Sequence, residues 1–127
     1  MSTKKVLVTG GSGYLGSLTV AALAARGDVQ VVSLDVREPQ QRAPGAVYEL
    51  ADIRSPALSN MVARHAPQVV VHLASIVTPG KNSRREFEYD VDVNGTRNIL
   101  EACVQHGVQR IIVSSSGAAY GYHADNP

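Results

Sequence analysis

Apolar residues along the chain follow two alternating patterns: short continuous runs, and longer stretches with helical spacing. The runs are "KKVLVTG", "VQVVSLD", "AVYEL", "QVVVHLA" and "VQRIIVSS". They predict five strands, and the first is continuous in β-branched residues, as a strand buried on both faces should be. Between them, "YLGSLTVAALAARG" is Ala- and Leu-rich and predicts a helix closed by Gly27. "SPALSNMVARH" predicts a short helix with Ser55 as N-cap and Pro56 at the first helical position. A long helix is expected from about Arg84 to His106, ending at Gly107. "REPQQRAPG" has two prolines and no apolar period, and "SIVTPGKNS" is polar with Gly and Pro, so both read as exposed connections.

Strands alternating with helices, with no repeat and no shift of composition, predict one α/β domain built on a doubly wound parallel sheet. Right-handed crossovers give the spatial order 3-2-1-4-5 most simply. In such a sheet ligands bind at the carboxyl ends of the strands, where the order reverses. Here that point lies between the first and fourth strands, and the chemistry-bearing motifs fall around it.

Composition narrows the choice of partner. The 127 residues suit a single core, and 44% hydrophobic with 18% charged is ordinary for a globular protein. A net charge of +1, with no basic block longer than Arg84-Arg85, argues against nucleic acid and against anionic membrane. Aromatic residues make up only 5%, without Trp, so there is no stacking platform for single-stranded bases. The single cysteine, Cys103, reads as a packed core thiol. The start, "MSTKK", leads into an apolar run too short for a signal peptide or a membrane span, so a cytoplasmic location is expected.

"VTGGSGYLGS" places glycines at 10, 11, 13 and 16 between the first strand and the first helix. Such a turn must be tight, must let a pyrophosphate approach the backbone, and must bring the helix start hard against the sheet. The open N–H groups of the helix N-terminus then face the phosphates. Gly11, Gly13 and Gly16 fit G-x-G-x-x-G, while Thr9, Gly10, Gly13 and Gly16 fit T-G-x-x-G-x-x-G, and the glycines alone do not separate the two. No Gly-Lys-Ser/Thr follows, which argues against a nucleoside-triphosphate loop. Asp35 ends the second strand about 20 residues on, where a carboxylate accepts ribose hydroxyls and repels a 2′-phosphate. NAD is therefore expected over NADP, with Arg37 the one nearby charge that works against it.

"TGGSGYLG", "ADIR", "VVVHLAS", "VNGT" and "SSSGAAYG", in this order and spacing, resemble the extended short-chain dehydrogenase/reductases. Within that group they are most similar to the nucleotide-sugar epimerases and dehydratases. The resemblance runs over essentially the whole chain. It implies that Gly10, Gly13, Tyr14, Leu15 and Gly16 line the pyrophosphate, and that Asp52 and Ile53 sit against the adenine. It also implies that Leu73, Ala74 and Ser75 pass beside the nicotinamide ribose, with Ser114 close to the cofactor. Asp52 has a plainer role open to it, capping the turn after the third strand. His72 reads as a core or second-layer histidine; no other His or Cys has ligand spacing to it, and no metal is expected. Position 92 departs from the pattern: relatives carry Asn where this chain has Asp92, which as a carboxylate can only accept. Gly95 within the helix costs about 1 kcal/mol relative to Ala, so close helix–sheet packing is expected there.

The resemblance further implies hydride transfer, with a Tyr taking the proton of a substrate hydroxyl, a Lys four residues on lowering its pKa, and a Ser or Thr holding that hydroxyl. Ser116, four residues before Tyr120, matches the Ser/Thr. The residues four after Tyr14, Tyr48, Tyr89, Tyr120 and Tyr122 are Leu18, Asp52, Val93, Ala124 and Asn126, so no Tyr-x-x-x-Lys is present. The chain is therefore expected to be the NAD-binding N-terminal part, residues 1–127, of a longer enzyme, with no turnover of its own. Its expected partner is a small molecule, a nucleotide sugar in the implied family, and the resemblance also allows a homodimer. A non-catalytic dinucleotide sensor on the same fold stays open. A two-domain dehydrogenase or flavoprotein would share the glycine turn but would not account for "HLAS" and "SSSGAAYG".

Overall fold

The computed structural model describes residues 3–76, 84–116, 121 and 124–125. Five parallel strands, β1 (Lys4–Thr9), β2 (Val29–Asp35), β3 (Val47–Leu50), β4 (Val69–His72) and β5 (Arg110–Val113), form one sheet in the order β3-β2-β1-β4-β5. This is the expected doubly wound, Rossmann-like arrangement. The order reverses between β1 and β4, where Val8 pairs with Val71 and Thr9 with His72.

Side chains alternate across β1 and β2, and each face has its own core. Val6, Val8 and Val31 pack with Val20 of α1 (Tyr14–Ala24). Leu7, Val32, Leu34 and Val70 pack on the other face with Leu58 and Val62 of α2 (Leu58–His65) and with Ile99 and Cys103 of the last helix. Burial on both faces is the reason these strands read as uninterrupted apolar runs. Burial also pushes the Cys103 thiol above its ordinary pKa, as befits a core thiol.

Two helix ends and one helix interior differ from expectation. α1 stops at Ala24 and is capped by right-handed Ala25, so Gly27 lies beyond the cap and supplies no left-handed residue. Ser55 and Pro56 form a turn ahead of α2 rather than its cap and first residue; the Ser55 hydroxyl accepts the Ala57 N–H at 3.1 Å, and the helix proper begins at Leu58. The third helix is not uniform. α3 (Arg85–Tyr89) runs through a π-turn at Asp90–Asn94 into α4 (Gly95–Gln105). Its end is as expected: Gly107 adopts φ 70°, and the Val108 N–H returns to the Cys103 carbonyl at 3.0 Å.

Gly95 owes its place to close packing, though not against the sheet. A Cβ there would lie 2.5 Å from Ile53 Cγ2, so α4 presses on the segment that follows β3. Asn98 clamps the same segment, donating to the carbonyls of Ile53 and Ser55 at 2.9 Å each. Among the described residues no helix is long and apolar enough to cross a membrane.

Candidate functional site

The glycine turn leaves β1 at Thr9 and enters α1 at Tyr14, and its glycines answer different demands. Gly10 has φ 73°, and a Cβ on it would sit 2.8 Å from the Ala74 nitrogen, because the turn lies directly on the end of β4. A Cβ on Gly11 would meet Ser33 Oγ, and one on Gly16 would meet the Gly10 carbonyl, both at 2.0 Å or less. Gly13 is different. Its backbone is extended (φ −78°, ψ 179°), and its Cβ would touch only the Gly10 carbonyl at 3.4 Å. Nothing in the protein requires glycine there.

Gly13 is also the N-cap of α1. It has no side chain to satisfy the first N–H groups, and the first turn carries no acidic residue. The positive end of the helix is thus left open to an anion. Tyr14 and Leu15, 87% and 56% exposed, flank that opening as apolar walls.

Asp35 stands beside the turn with both carboxylate oxygens oriented. Oδ2 accepts the Ser12 N–H at 3.0 Å and Oδ1 the Arg37 N–H at 3.1 Å. The Ser12 hydroxyl donates to the Arg37 carbonyl at 2.8 Å, closing the brace. A shallow pocket lined by Ser12, Arg37, Tyr48 and Leu50 opens here. Each carboxylate oxygen keeps a lone pair for a further donor.

On the other side of β1, the ends of β4 and β1 share one buried hydrogen-bonded chain. Thr9 Oγ1 accepts the N–H groups of Leu73 (3.1 Å) and Ala74 (3.2 Å), so its own proton goes to His72 Nδ1 at 2.7 Å. The Thr96 hydroxyl donates to the Asp92 carbonyl at 2.6 Å, so His72 Nε2 must carry the proton that joins it to Thr96 at 2.9 Å. His72 is therefore neutral with hydrogen on Nε2. Burial holds its pKa below the ordinary histidine range, against a weaker upward pull from Asp92.

That depressed pKa has a sign. The unfolded chain takes up the proton near pH 6.5 and the folded one only at lower pH, so the stability His72 contributes is complete above roughly pH 6.5 and lost as pH falls below it. Thermal melting between pH 7 and 5.5 is expected to show a steeper loss of Tm for the wild type than for His72→Gln. Equal slopes would mean that the imidazole titrates alike in both states.

The remaining predicted residues are placed as follows. Leu73 and Ala74 lie against Gly10, and Ser75 is exposed just beyond, donating to Asp92 Oδ1 at 3.0 Å. Ser114 donates to the His72 carbonyl through its N–H (3.3 Å) and its hydroxyl (3.4 Å), and Ser116 is exposed two residues further on. Tyr120 and most of "SIVTPGKNS" (residues 77–83) lie outside the described residues. Asp52 is held by Arg54, which contacts both carboxylate oxygens at 3.0 and 2.7 Å, also reaches Asp90 at 2.9 Å and lies over the Phe87 ring. The Arg54 hydrogen bonds hold the Asp52 carboxyl below the usual range. Asp52 also accepts the Arg54 N–H at 2.9 Å, a turn-capping role. The Ile53 side chain is buried against Gly95, committed to the core.

Glycines, Asp35, Leu73–Ser75 and Ser114 thus converge on the carboxyl ends of β1, β2, β4 and β5; Asp52 and Ile53 follow the carboxyl end of β3, where Arg54 holds Asp52 and Gly95 of α4 packs on Ile53. Sequence reading missed the Ser12 brace, the Thr9–His72–Thr96 chain and the Arg54 cluster. A signal existed for the second: Thr9 and His72 each end an apolar run, and Thr96 follows Asp92 by one helical turn. Among the described residues no three His, Cys, Asp or Glu side chains gather as a metal would require.

Comparison with known proteins bears on the fold and the family. The chain is 34% identical over 124 residues to UDP-glucose 4-epimerase of Rhizobium meliloti (strain 1021), covering 95% of this chain and 38% of that protein. It is 39% identical over 112 residues to zebrafish (Danio rerio) short-chain dehydrogenase/reductase family 42E member 1, covering 87% and 28%. The solved UDP-glucose 4-epimerase of Brucella ovis in complex with NAD superposes with a TM-score of 0.84 at 32% identity, covering 98% of this chain and 39% of that one. The chain spans well under half the length of each. The model of the NAD dependent epimerase/dehydratase family matches residues 6–127, and with the sheet order and glycine turn already described, the chain belongs to that family.

Proposed function

We propose that the chain is the NAD-binding part of a nucleotide-sugar epimerase or dehydratase of the short-chain dehydrogenase/reductase type. The observation that carries this reading is Gly13. It is the one glycine of the turn with no packing or backbone demand from the protein, and it lies where an anion would meet the open end of α1. The pyrophosphate would rest on Gly13, Tyr14 and Leu15, with Gly10 and Gly16 shaping the turn. The adenosine ribose would give its hydroxyl protons to Asp35, already aimed by Ser12 and Arg37. The other half of the dinucleotide then crosses β1 toward Ser75 and Ser114.

In such an enzyme NAD supplies reversible hydride acceptance, and the residues of this chain bind and orient. Ser116 would hold a substrate hydroxyl, and no Tyr-x-x-x-Lys occurs among the 127 residues to take its proton. The epimerase relatives named above are UDP-sugar enzymes, which supports a nucleotide sugar as the substrate. A non-catalytic dinucleotide sensor would share every cofactor contact described above, and turnover of a UDP-sugar by the longer enzyme of which this chain would be a part separates the two.

The cofactor reading is tested by titrating the protein and Asp35→Ala with NAD+ and NADP+. The wild type is expected to prefer NAD+. The variant loses a charged acceptor of ribose hydroxyls and a repellent of the 2′-phosphate, so NAD+ should weaken by about tenfold and the preference should largely disappear. An unchanged preference would show that Asp35 does not read the ribose.

A further inference from the structure

The π-turn gives Asp92 two separate ties to the end of β4. Its carbonyl accepts the Thr96 hydroxyl, which in turn receives the His72 Nε2 proton. Its carboxylate Oδ1 accepts both the Ser75 hydroxyl at 3.0 Å and the Ile76 N–H at 2.9 Å. Both of these are neutral donors, and among the described residues no cationic side chain pairs with Asp92. Asp92 therefore brings a carboxylate to the loop after β4 that has no cationic partner among the described residues.

An amide at this position would make the same two hydrogen bonds through its own Oδ1, so the ties alone do not call for a carboxylate. The charge is what distinguishes Asp92. With pyrophosphate at the glycine turn and adenosine ribose at Asp35, the far half of a bound dinucleotide lies at the ends of β4 and β5. That half ends in the nicotinamide ring, which is cationic when oxidised and neutral when reduced.

We infer that Asp92 is a specificity-determining residue that biases the site toward the oxidised dinucleotide over the reduced one. The inference rests on the cofactor reading above and adds the choice of redox form. In general, a unit charge within about 8 Å of a cationic ring, at an effective dielectric of about 40, changes a binding constant by about fivefold. The two dinucleotides share their phosphates and riboses, so the ratio of their affinities isolates the ring charge.

The test is calorimetric titration of wild type and Asp92→Asn with NAD+ and NADH. The ratio Kd(NADH)/Kd(NAD+) is expected to fall about fivefold in the variant, chiefly because NAD+ weakens. In the wild type alone, raising salt from about 0.05 to 0.5 M is expected to lower the same ratio as the charge is screened. A ratio unmoved by both the substitution and salt overturns the inference. So does equal weakening of both forms in the variant, which would mean that Asp92 acts only by holding the Ser75 loop. A wild type that binds neither dinucleotide would instead overturn the cofactor reading itself.

Discussion

Gly13→Val is expected to reduce dinucleotide affinity by more than a hundredfold while leaving the fold intact. Extended backbone at Gly13 suits any residue, and the added Cβ meets only one carbonyl, at the near edge of ordinary contact. The branched side chain would nevertheless stand over the first N–H groups of α1, where a phosphate must come within hydrogen-bonding distance of the backbone. Titration with NAD+ and a thermal melt check the two halves of this statement. Retained affinity would refute the phosphate-loop assignment. Gly16→Val is the contrast: its Cβ would overlap the Gly10 carbonyl, so loss of binding there would come with loss of structure.

Thr9→Val should produce the largest loss of stability from an isosteric change. The substitution keeps shape and strand preference but deletes a hydroxyl that is fully buried. The Ala74 N–H would lose its acceptor and His72 Nδ1 its donor, whereas the Leu73 N–H keeps the Thr9 carbonyl at 3.1 Å. Two buried polar groups left unpaired cost about 3 kcal/mol together, or a fall in Tm of about 10 °C for a domain of this size. Thr9→Ser retains the hydroxyl and should recover most of that. A Thr9→Val protein that melts within a degree or two of wild type would mean that water replaces the hydroxyl.

The two variants act on opposite sides of one feature. The glycine turn is held from below by the Thr9–His72–Thr96 chain and from the side by Asp35 and Ser12, while its upper surface is left bare. Rigid support beneath an open row of N–H groups allows an anion to bind without first ordering the loop, which lowers the entropic cost of binding. The buried polar groups and the exposed apolar Tyr14 and Leu15 thus belong to a single arrangement around β1.

How legible each part was depends on the range of the interactions behind it. The strands, the helices and the open turn follow from periodicity, glycine placement and chain chirality, which are local properties, and five alternating units leave few ways to wind a parallel sheet. The left-handed Gly107 is local in the same sense. Asp35 could be located because a strand end and a spacing of about 20 residues are both written in the sequence.

The sequence by itself therefore determined the sheet, its reversal point and the residues that gather there. Only the tertiary structure decided how those residues are used. Thr9 and His72 are 63 positions apart and meet only because β1 and β4 are neighbours in register, which sets the tautomer of the histidine. The π-turn arises where Asp92 is engaged by Thr96 one turn on and by Ser75 and Ile76 of the loop after β4, and helical periodicity carries no trace of the last two. The Ile53 side chain is buried because Gly95, 42 residues on, lets α4 close over it. Local pattern dictates which elements form; contacts between elements distant in sequence fix where each polar side chain points, and with it the chemistry the site can offer.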